Sequence, residues 1–192
     1  MSVTLSKGQT VSLAKIAPST LTKVRMGLGW DAAKVRGFFG GLKEQAIDLD
    51  ASVLMFNAAG QLVDQVWFKQ LVSSDRAVVH TGDNTTGAGD GDDESIIVDL
   101  NSVAADIASL VFVVSSYSGE SFGQIENAFC RLVDASNESE LARFDLSGAG
   151  NHTAQIMAKV SRGGTGWDMT AIGNRANGRT IRDLVPAAAA AL

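Results

Sequence analysis

The regular spacing of short strand patterns limits the fold of this chain more than any other feature of its sequence. Apolar and polar residues alternate in "TKVRMGL" (22–28), "LARFDL" (141–146) and "AQIMAKVSR" (154–162), which is the period of half-buried antiparallel strands. Two apolar runs, 51–56 and 108–117, suit central strands that are buried on both faces. In the segment 154–162, the residues predicted to share one face are Ala154, Ile156, Ala158 and Val160.

Clusters of glycine, asparagine and serine separate these segments at intervals of roughly ten residues, as in β-sandwiches. Helical signals are few. Ser121–Gln124 has the S-x-x-Q pattern of a capping box, and residues 179–192 predict a terminal helix that breaks at Pro186. The sequence therefore predicts a mainly β fold, a β-sandwich of mostly antiparallel strands with a few short helices. At 192 residues and 45% hydrophobic content, it suits a single domain over 1–192 with an alanine-rich tail from about residue 186.

Cysteine content and hydropathy indicate where such a protein works. Cys130 is the single cysteine and has no partner for an internal disulfide. The first residues form no apolar signal segment, and no run approaches eighteen apolar residues. We therefore expect a soluble, cytoplasmic protein in a reducing compartment.

Negative charge is concentrated in one part of the chain. Residues 77–130 contain nine acidic side chains and no lysine or arginine, whereas the rest has 16 basic and 12 acidic residues. This balance argues against nucleic acid as the partner of the acidic region, because binding a phosphate backbone needs positive charge. The partner expected there is a cation.

The densest acidic stretch is "HTGDNTTGAGDGDDE" (80–94), a glycine-rich segment between two predicted strands. Calcium suits it, because calcium takes six to eight oxygen ligands in flexible geometry. Zinc or copper would need histidine and cysteine at ligand spacing, which is missing. The spacing also excludes an EF-hand, because a loop that starts at Asp90 has Ser95 at position 6 and Asn101 at position 12. A solvated acidic turn is the alternative.

Two further acidic segments strengthen the metal interpretation. Asp48 and Asp50 lie two residues apart at the start of a predicted strand, so both project from one face. Asp31 ends the strand "TKVRMGL". If these segments share one end of the sandwich, up to eight carboxylates converge there, and two divalent ions balance that charge better than one.

Several of these segments resemble the tellurium-resistance TerD family, and within it the TerZ-like members. The resemblance is carried from residue 1 to about 175 by "MSVTLSKGQTVSL", "GLGWD", "DLDAS", the acidic stretch, "SFGQIENAFCRLVD" and "ELARFDLS". It implies a non-enzymatic, calcium-binding β-sandwich of bacterial tellurite-resistance and stress systems, which works with other resistance proteins at the inner face of the membrane. The positions that match the family's calcium loops are Asp31, Asp48, Asp50, Asp83, Asn84, Gly89, Asp90, Gly91, Asp92, Asp93 and Glu94. Residues 32–47 form a longer basic and aromatic insert than the family pattern has.

Other interpretations of the same residues are weaker. "GLGWDA" (27–32) matches the G-x-G-x-x-A outline of a dinucleotide-binding turn, but glycine-rich sequence follows where a helix is required. The carboxylates could instead hold a catalytic metal in a hydrolase-like enzyme. The remaining candidate groups are expected to be structural, namely His80, His152, Cys130, Trp30, Trp67 and Trp167. The pair Phe38 and Phe39 either contacts an anionic membrane or a partner, or folds back on the sandwich.

Overall fold

Two six-stranded sheets packed face to face make up the protein in the computed structural model, which describes residues 3–4, 7–13, 21–31, 33–36, 42–45, 47–86, 91–146, 150–164 and 166–192. Sheet A contains, in spatial order, β1 (Val3–Thr4), β12 (Ser139–Asp145), β11 (Glu126–Asp134), β3 (Lys23–Asp31), β9 (Glu94–Asp99) and β8 (Val78–His80). Sheet B contains β2 (Thr10–Ser12), β14 (Gly166–Ala176), β13 (Ala154–Gly163), β10 (Ile107–Ser116), β6 (Leu49–Asn57) and β7 (Leu62–Val66). A separate hairpin pairs β4 (Ala33–Arg36) with β5 (Leu42–Gln45). Among the described pairs only β1 and β12 run parallel, so the predicted antiparallel β architecture is confirmed.

The main core lies between the two sheets. In β3 the alternate residues Val24, Met26, Leu28 and Trp30 are all at most 4% exposed, as the alternation in "TKVRMGL" predicts. The intervening residues, Arg25 among them, lie on the outer face of sheet A. This face remains polar and holds Asp92, which is described below.

A second core covers the outer face of sheet B, where helix α1 (Ile181–Ala189) packs. The predicted break at Pro186 is wrong, because the helix continues through it to Ala189. Proline removes one helical hydrogen bond, but Leu184 and Ala188 on either side of it are fully buried against the sheet, and that packing holds the helix together. β6 and β10 are consequently buried on both faces, as their apolar runs predict.

The prediction that four alternate residues of β13 share one face is wrong. Met157 is a β-bulge, because its neighbours Ile156 and Ala158 pair with consecutive residues of β10. An extra residue moves the side chains after it to the opposite face. Ala154 and Ile156 therefore pack beneath α1, whereas Ala158 and Val160 belong to the main core. Alternation in the sequence continues across the bulge and does not reveal it.

The capping box at Ser121 is present, but it starts only a single 3-10 turn, Phe122–Gln124, which leads directly into β11. The residues predicted to be structural are buried: the three tryptophans are at most 8% exposed, Cys130 is 2% exposed, and His80 and His152 are 3% and 4% exposed. Burial raises the pKa of the Cys130 thiol to about 12.

Within the insert 32–47, only β4, β5 and Ile47 are described, and Phe38 and Phe39 lie outside the described residues. The prediction about that aromatic pair stays a prediction. Across the described part of the chain, no helix has the length and apolarity that a membrane span requires.

Candidate metal centre

Three acidic side chains meet where the start of β6 lies beside the segment after β8. Asp50 is the second residue of β6, Asp48 precedes that strand, and Asp83 follows β8 by three residues. One carboxylate oxygen of each lies within 4.8 Å of one from each of the others. The structure thus brings together three of the predicted site residues, which we call the acidic triad.

The backbone of Ala51 joins the two sheets at this point and so fixes the triad. Its N–H donates to Glu94 of β9 (2.7 Å), and its carbonyl oxygen lies 3.1 Å from His80 Nε2 of β8. The Gly82 N–H donates to His80 Nδ1 (3.2 Å), which leaves Nε2 as the ring's donor to Ala51. This arrangement holds the chain after β8, and with it Asp83, against the start of β6.

Two oxygens of the triad lack hydrogen-bond partners in the described structure. Oδ1 of Asp48 and Oδ2 of Asp50 are both buried with no partner among the described residues, and Asp50 as a whole is only 4% exposed. Leaving a buried polar atom unpaired costs on the order of 1–3 kcal/mol, and more for a charged group. A cation bound between the carboxylates would satisfy both atoms.

The protonation of the triad reflects the same crowding. Burial, followed by the charges of Glu94, Asp48 and Asp83, raises the pKa of Asp50 to about 8. Burial and the neighbouring Asp83 and Glu120 also raise the pKa of Asp48. Near neutral pH a proton therefore competes for Asp50, and a divalent ion would replace it, because cations favour the ionised carboxylate.

Asp93 and Glu94 hold the segment that carries Asp83. Asp93 accepts hydrogen bonds from the Asn84 side-chain amide and from the Trp30 N–H, both at 2.9 Å. Glu94, 1% exposed, accepts from the Asn84 N–H (3.1 Å) as well as from Ala51, and lies 3.4 Å from His80 Nε2. Burial raises the pKa of both carboxyls, and these hydrogen bonds oppose the rise.

Asp92 lies outside the triad, on the outer face of sheet A. Its carboxylate pairs with Arg25 and, at 2.7 Å, with Arg131. The sequence contains no lysine or arginine from residue 77 to 130, but the fold supplies one arginine from β3 and one from β11. The absence of lysine and arginine from this stretch therefore does not leave Asp92 without a basic partner.

The other predicted positions are dispersed or outside the described residues. Asp31 is exposed and accepts a hydrogen bond from the Asn127 side chain (2.6 Å). Gly91 has a φ of 95°, in the region that favours glycine. Gly89 and Asp90 are not described. Their assignment as site residues, and the second ion, stay predictions.

Sequence reasoning missed three neighbours of the triad. Ser115 of β10 is the cross-strand partner of Asp50, so the two side chains lie side by side, and its buried hydroxyl also lacks a partner in the described structure. Glu120 acts on Asp48, and Lys69 lowers the pKa of Asp50. Only the pairing register of β6 and β10 reveals Ser115, and register cannot be read from the apolar runs of those strands.

The donors of the triad are all oxygens. The described cluster contains no histidine or cysteine, which favours calcium or magnesium over zinc or copper. Gly27 and Gly29 lie within β3 rather than in a strand-to-helix turn, so the fold excludes the dinucleotide-binding interpretation of "GLGWDA".

Comparison with known proteins identifies relatives over nearly the whole chain. A family model described as the TerD domain matches residues 1–187. The chain is 46% identical over 184 residues to "Tellurium resistance protein TerZ" of Serratia marcescens, with 95% of this chain and 94% of that protein covered. It is 42% identical to "Tellurium resistance protein TerD" of the same organism, with 90% of each covered.

A stress protein and a solved structure extend the comparison. "General stress protein 16U" of Bacillus subtilis (strain 168) is 40% identical, with 95% of each chain covered. The crystal structure of a homologue of the telluride resistance protein (TerD) from Streptomyces coelicolor A3(2) superposes with a TM-score of 0.71 over 86% of this chain and 95% of that one. At 19% identity, that likeness shows a shared fold.

Proposed function

This chain belongs to the TerD domain family, and from that premise we propose that it is a calcium-binding, non-catalytic protein of a bacterial tellurite-resistance and stress-response system. Its relatives are named as tellurium-resistance or general stress proteins. The ion is held by Asp48, Asp50 and Asp83.

The unpaired oxygens of Asp48 and Asp50 carry this proposal. Acidic clusters on protein surfaces are common without a bound ion, but a 4% exposed carboxylate with an unpaired oxygen is costly unless a cation or a proton neutralises it. Two backbone-anchored segments aim the three carboxylates at a common point. Three negative charges exceed the charge of one divalent ion, which favours tight binding.

A binding role is also favoured over catalysis by the placement of the other reactive groups. Cys130, His80 and His152 are all at most 4% exposed, so none of them can reach a substrate as nucleophile or base. The alternative that remains is a hydrolase-like enzyme that uses an ion on the same carboxylates. We further propose a cytoplasmic location and, as partners, other tellurium-resistance proteins, in a complex at the inner face of the membrane.

Calorimetric titration of the metal-free protein with calcium tests the proposal. We expect saturable heat, and a rise in melting temperature that a chelator reverses, because an ion that binds only the folded state adds about 2.7 kcal/mol of stability at a hundred times its dissociation constant. Magnesium should bind more weakly, because it requires near-octahedral geometry and dehydrates reluctantly. If calcium produces neither binding heat nor a thermal shift, the triad does not bind calcium and is only a cluster of acidic side chains. Calcium-dependent hydrolysis of phosphate esters or peptides would favour the enzyme.

A further inference from the structure

The side chain of Asp92 is held by two arginines from neighbouring strands. It is 5% exposed, and the side chains of Arg25 and Arg131 are 16% and 27% exposed. Arg25 also pairs with Glu138, and Arg131 lies 3.6 Å from Glu140. The hydrogen bond to Asp92 raises the pKa of Arg131. Both carboxylate oxygens of Asp92 are used in these contacts.

Two glycines of β3, Gly27 and Gly29, leave space on the outer face of this strand for the segment Gly91–Glu94. We call these two positions the glycine track. Gly27 and Gly29 share the outer face of β3 with Arg25, opposite the core residues. A Cβ added to Gly27 would overlap the carboxylate of Asp92, and one added to Gly29 would overlap the carbonyl oxygen of Gly91. The Asp93 N–H donates to the carbonyl oxygen of Leu28 (2.8 Å), so the segment is bonded to the track.

The track connects to the metal centre through Asn84. Asp93 and Glu94, directly after Asp92, accept hydrogen bonds from the Asn84 side chain and backbone respectively. Asn84 directly follows Asp83. A shift of Gly91–Glu94 over sheet A would therefore move Asp83 relative to Asp48 and Asp50.

We propose that Asp92 is a positioning residue, which docks Gly91–Glu94 on the glycine track through Arg25 and Arg131 and thereby holds Asp83 in the ion site. This inference rests on the proposed calcium site. In this arrangement the glycines of "GLGWD" allow close packing of the acidic segment. Asp92 pairs with the two arginines and does not bind the ion.

Arg131→Met tests whether Asp92 positions the segment or binds the ion, because the two roles predict opposite changes in calcium affinity. If Asp92 positions the segment, the variant should bind calcium about tenfold more weakly, in the range typical for outer-shell partners of metal ligands. If Asp92 is a ligand, the guanidinium competes with the ion, and its removal should tighten binding. Loss of a nearby positive charge also tightens binding in general.

Arg143→Met is the matched control, because Arg143 is the cross-strand partner of Arg131 and pairs with Glu140 and Asp145 instead of Asp92. It measures the general effect of removing one positive charge from this face. Calcium affinity of Arg131→Met equal to or higher than that of Arg143→Met overturns the proposal.

Gly27→Ala provides a test that changes no charge. The added methyl group displaces Asp92, so calcium binding should weaken as in Arg131→Met. Gly164→Ala is its control, because a Cβ there meets no atom within 4 Å. Unchanged calcium affinity in Gly27→Ala would contradict the proposal.

Hydrogen exchange of the Asp93 amide tests the docking without calcium. In the metal-free protein, Arg131→Met and Gly27→Ala should both speed exchange of this amide relative to their controls, because its bond to Leu28 depends on the docked segment. If exchange is unchanged in both variants, the docking role is wrong. If wild type binds no calcium but exchange responds, the calcium proposal fails and the docking stands.

Discussion

The acidic triad and the acidic run Asp92–Glu94 contain three carboxylates each, but the fold treats them in opposite ways. In the triad, Asp48 and Asp50 each keep a buried oxygen without a partner among the described residues. In the run, arginines, backbone N–H groups and the Asn84 amide contact every carboxylate. Density of acidic residues in the sequence therefore marks the region of the candidate site, whereas the unpaired oxygens mark the residues that we propose as ligands.

The largest expected effect is the loss of calcium affinity in Asp50→Asn, which tests the triad. The substitution removes the charge of the most buried carboxylate of the triad. Calcium affinity should therefore fall on the order of 100-fold, since affinity follows the charge of the ligands. In chelator, the variant should be as stable as wild type or more stable, because the amide carries no charge to bury. Calorimetry and paired melting curves measure both effects.

Asp92→Asn is the matched change in the run, and the comparison predicts the opposite response in chelator. It leaves two guanidinium groups without their shared anion, so the metal-free protein should lose about 1–3 kcal/mol of stability. Repulsion among unpaired acids, which the sequence alone suggests, would instead make this variant more stable. If Asp50→Asn and Asp92→Asn change both stability and calcium affinity alike, the contrast between the two regions is wrong.

A third prediction concerns pH. Asp50 has a folded pKa of about 8 against an ordinary value of 3.8, so between these values the folded state binds more protons than the unfolded state. Stability of the metal-free protein should therefore decrease as pH rises from about 4 to 8. Asp48 and Glu94, whose pKa values are also raised, act in the same direction.

Saturating calcium should reverse this slope. The bound ion favours the ionised carboxylates and lowers their folded pKa values, so stability is present near neutrality and is lost on acidification. The calcium-induced rise in melting temperature should thus be larger at pH 8 than at pH 5, with Asp50→Asn as the variant that flattens both profiles. A calcium-induced rise that is independent of pH would contradict the site.

Local patterns predicted most of the fold, because alternation and apolar runs report directly which faces a strand buries. They did not predict which faces the residues of β13 bury, because the bulge at Met157 arises from its pairing with β10. α1 continues through Pro186 because burial of Leu184 and Ala188 against sheet B is a long-range effect that helix signals do not contain.

The candidate site was predictable to the level of segments. Spacing placed Asp48 and Asp50 on one face, and the acidic stretch contained Asp83. The partners of each acid could not be predicted, because Arg25 and Arg131 reach Asp92 from strands distant in sequence, and the Ala51 backbone reaches Glu94 from the other sheet. These contacts depend on how β3, β9 and β11 lie beside one another and on how β6 of the other sheet packs against β9, which no local pattern states.

The smallest expected effect concerns Ser115, whose hydroxyl is buried beside Asp50 on the neighbouring strand and has no partner among the described residues. If this hydroxyl helps to surround the ion, Ser115→Ala should weaken calcium binding a few-fold, roughly 1 kcal/mol, as expected for one neutral hydrogen-bonding group. In chelator, the same change should leave stability unchanged or raise it, because it removes an unsatisfied buried polar atom. Ser12→Ala is the control. The Ser12 hydroxyl is also buried without a partner in the described part of the chain, but it lies on β2, at the opposite edge of sheet B from β6 and β7. Both variants should behave alike in chelator, and only Ser115→Ala should reduce the calcium-induced rise in melting temperature. An equal calcium response of the two variants would confine the ion to the acidic side chains and remove Ser115 from the site.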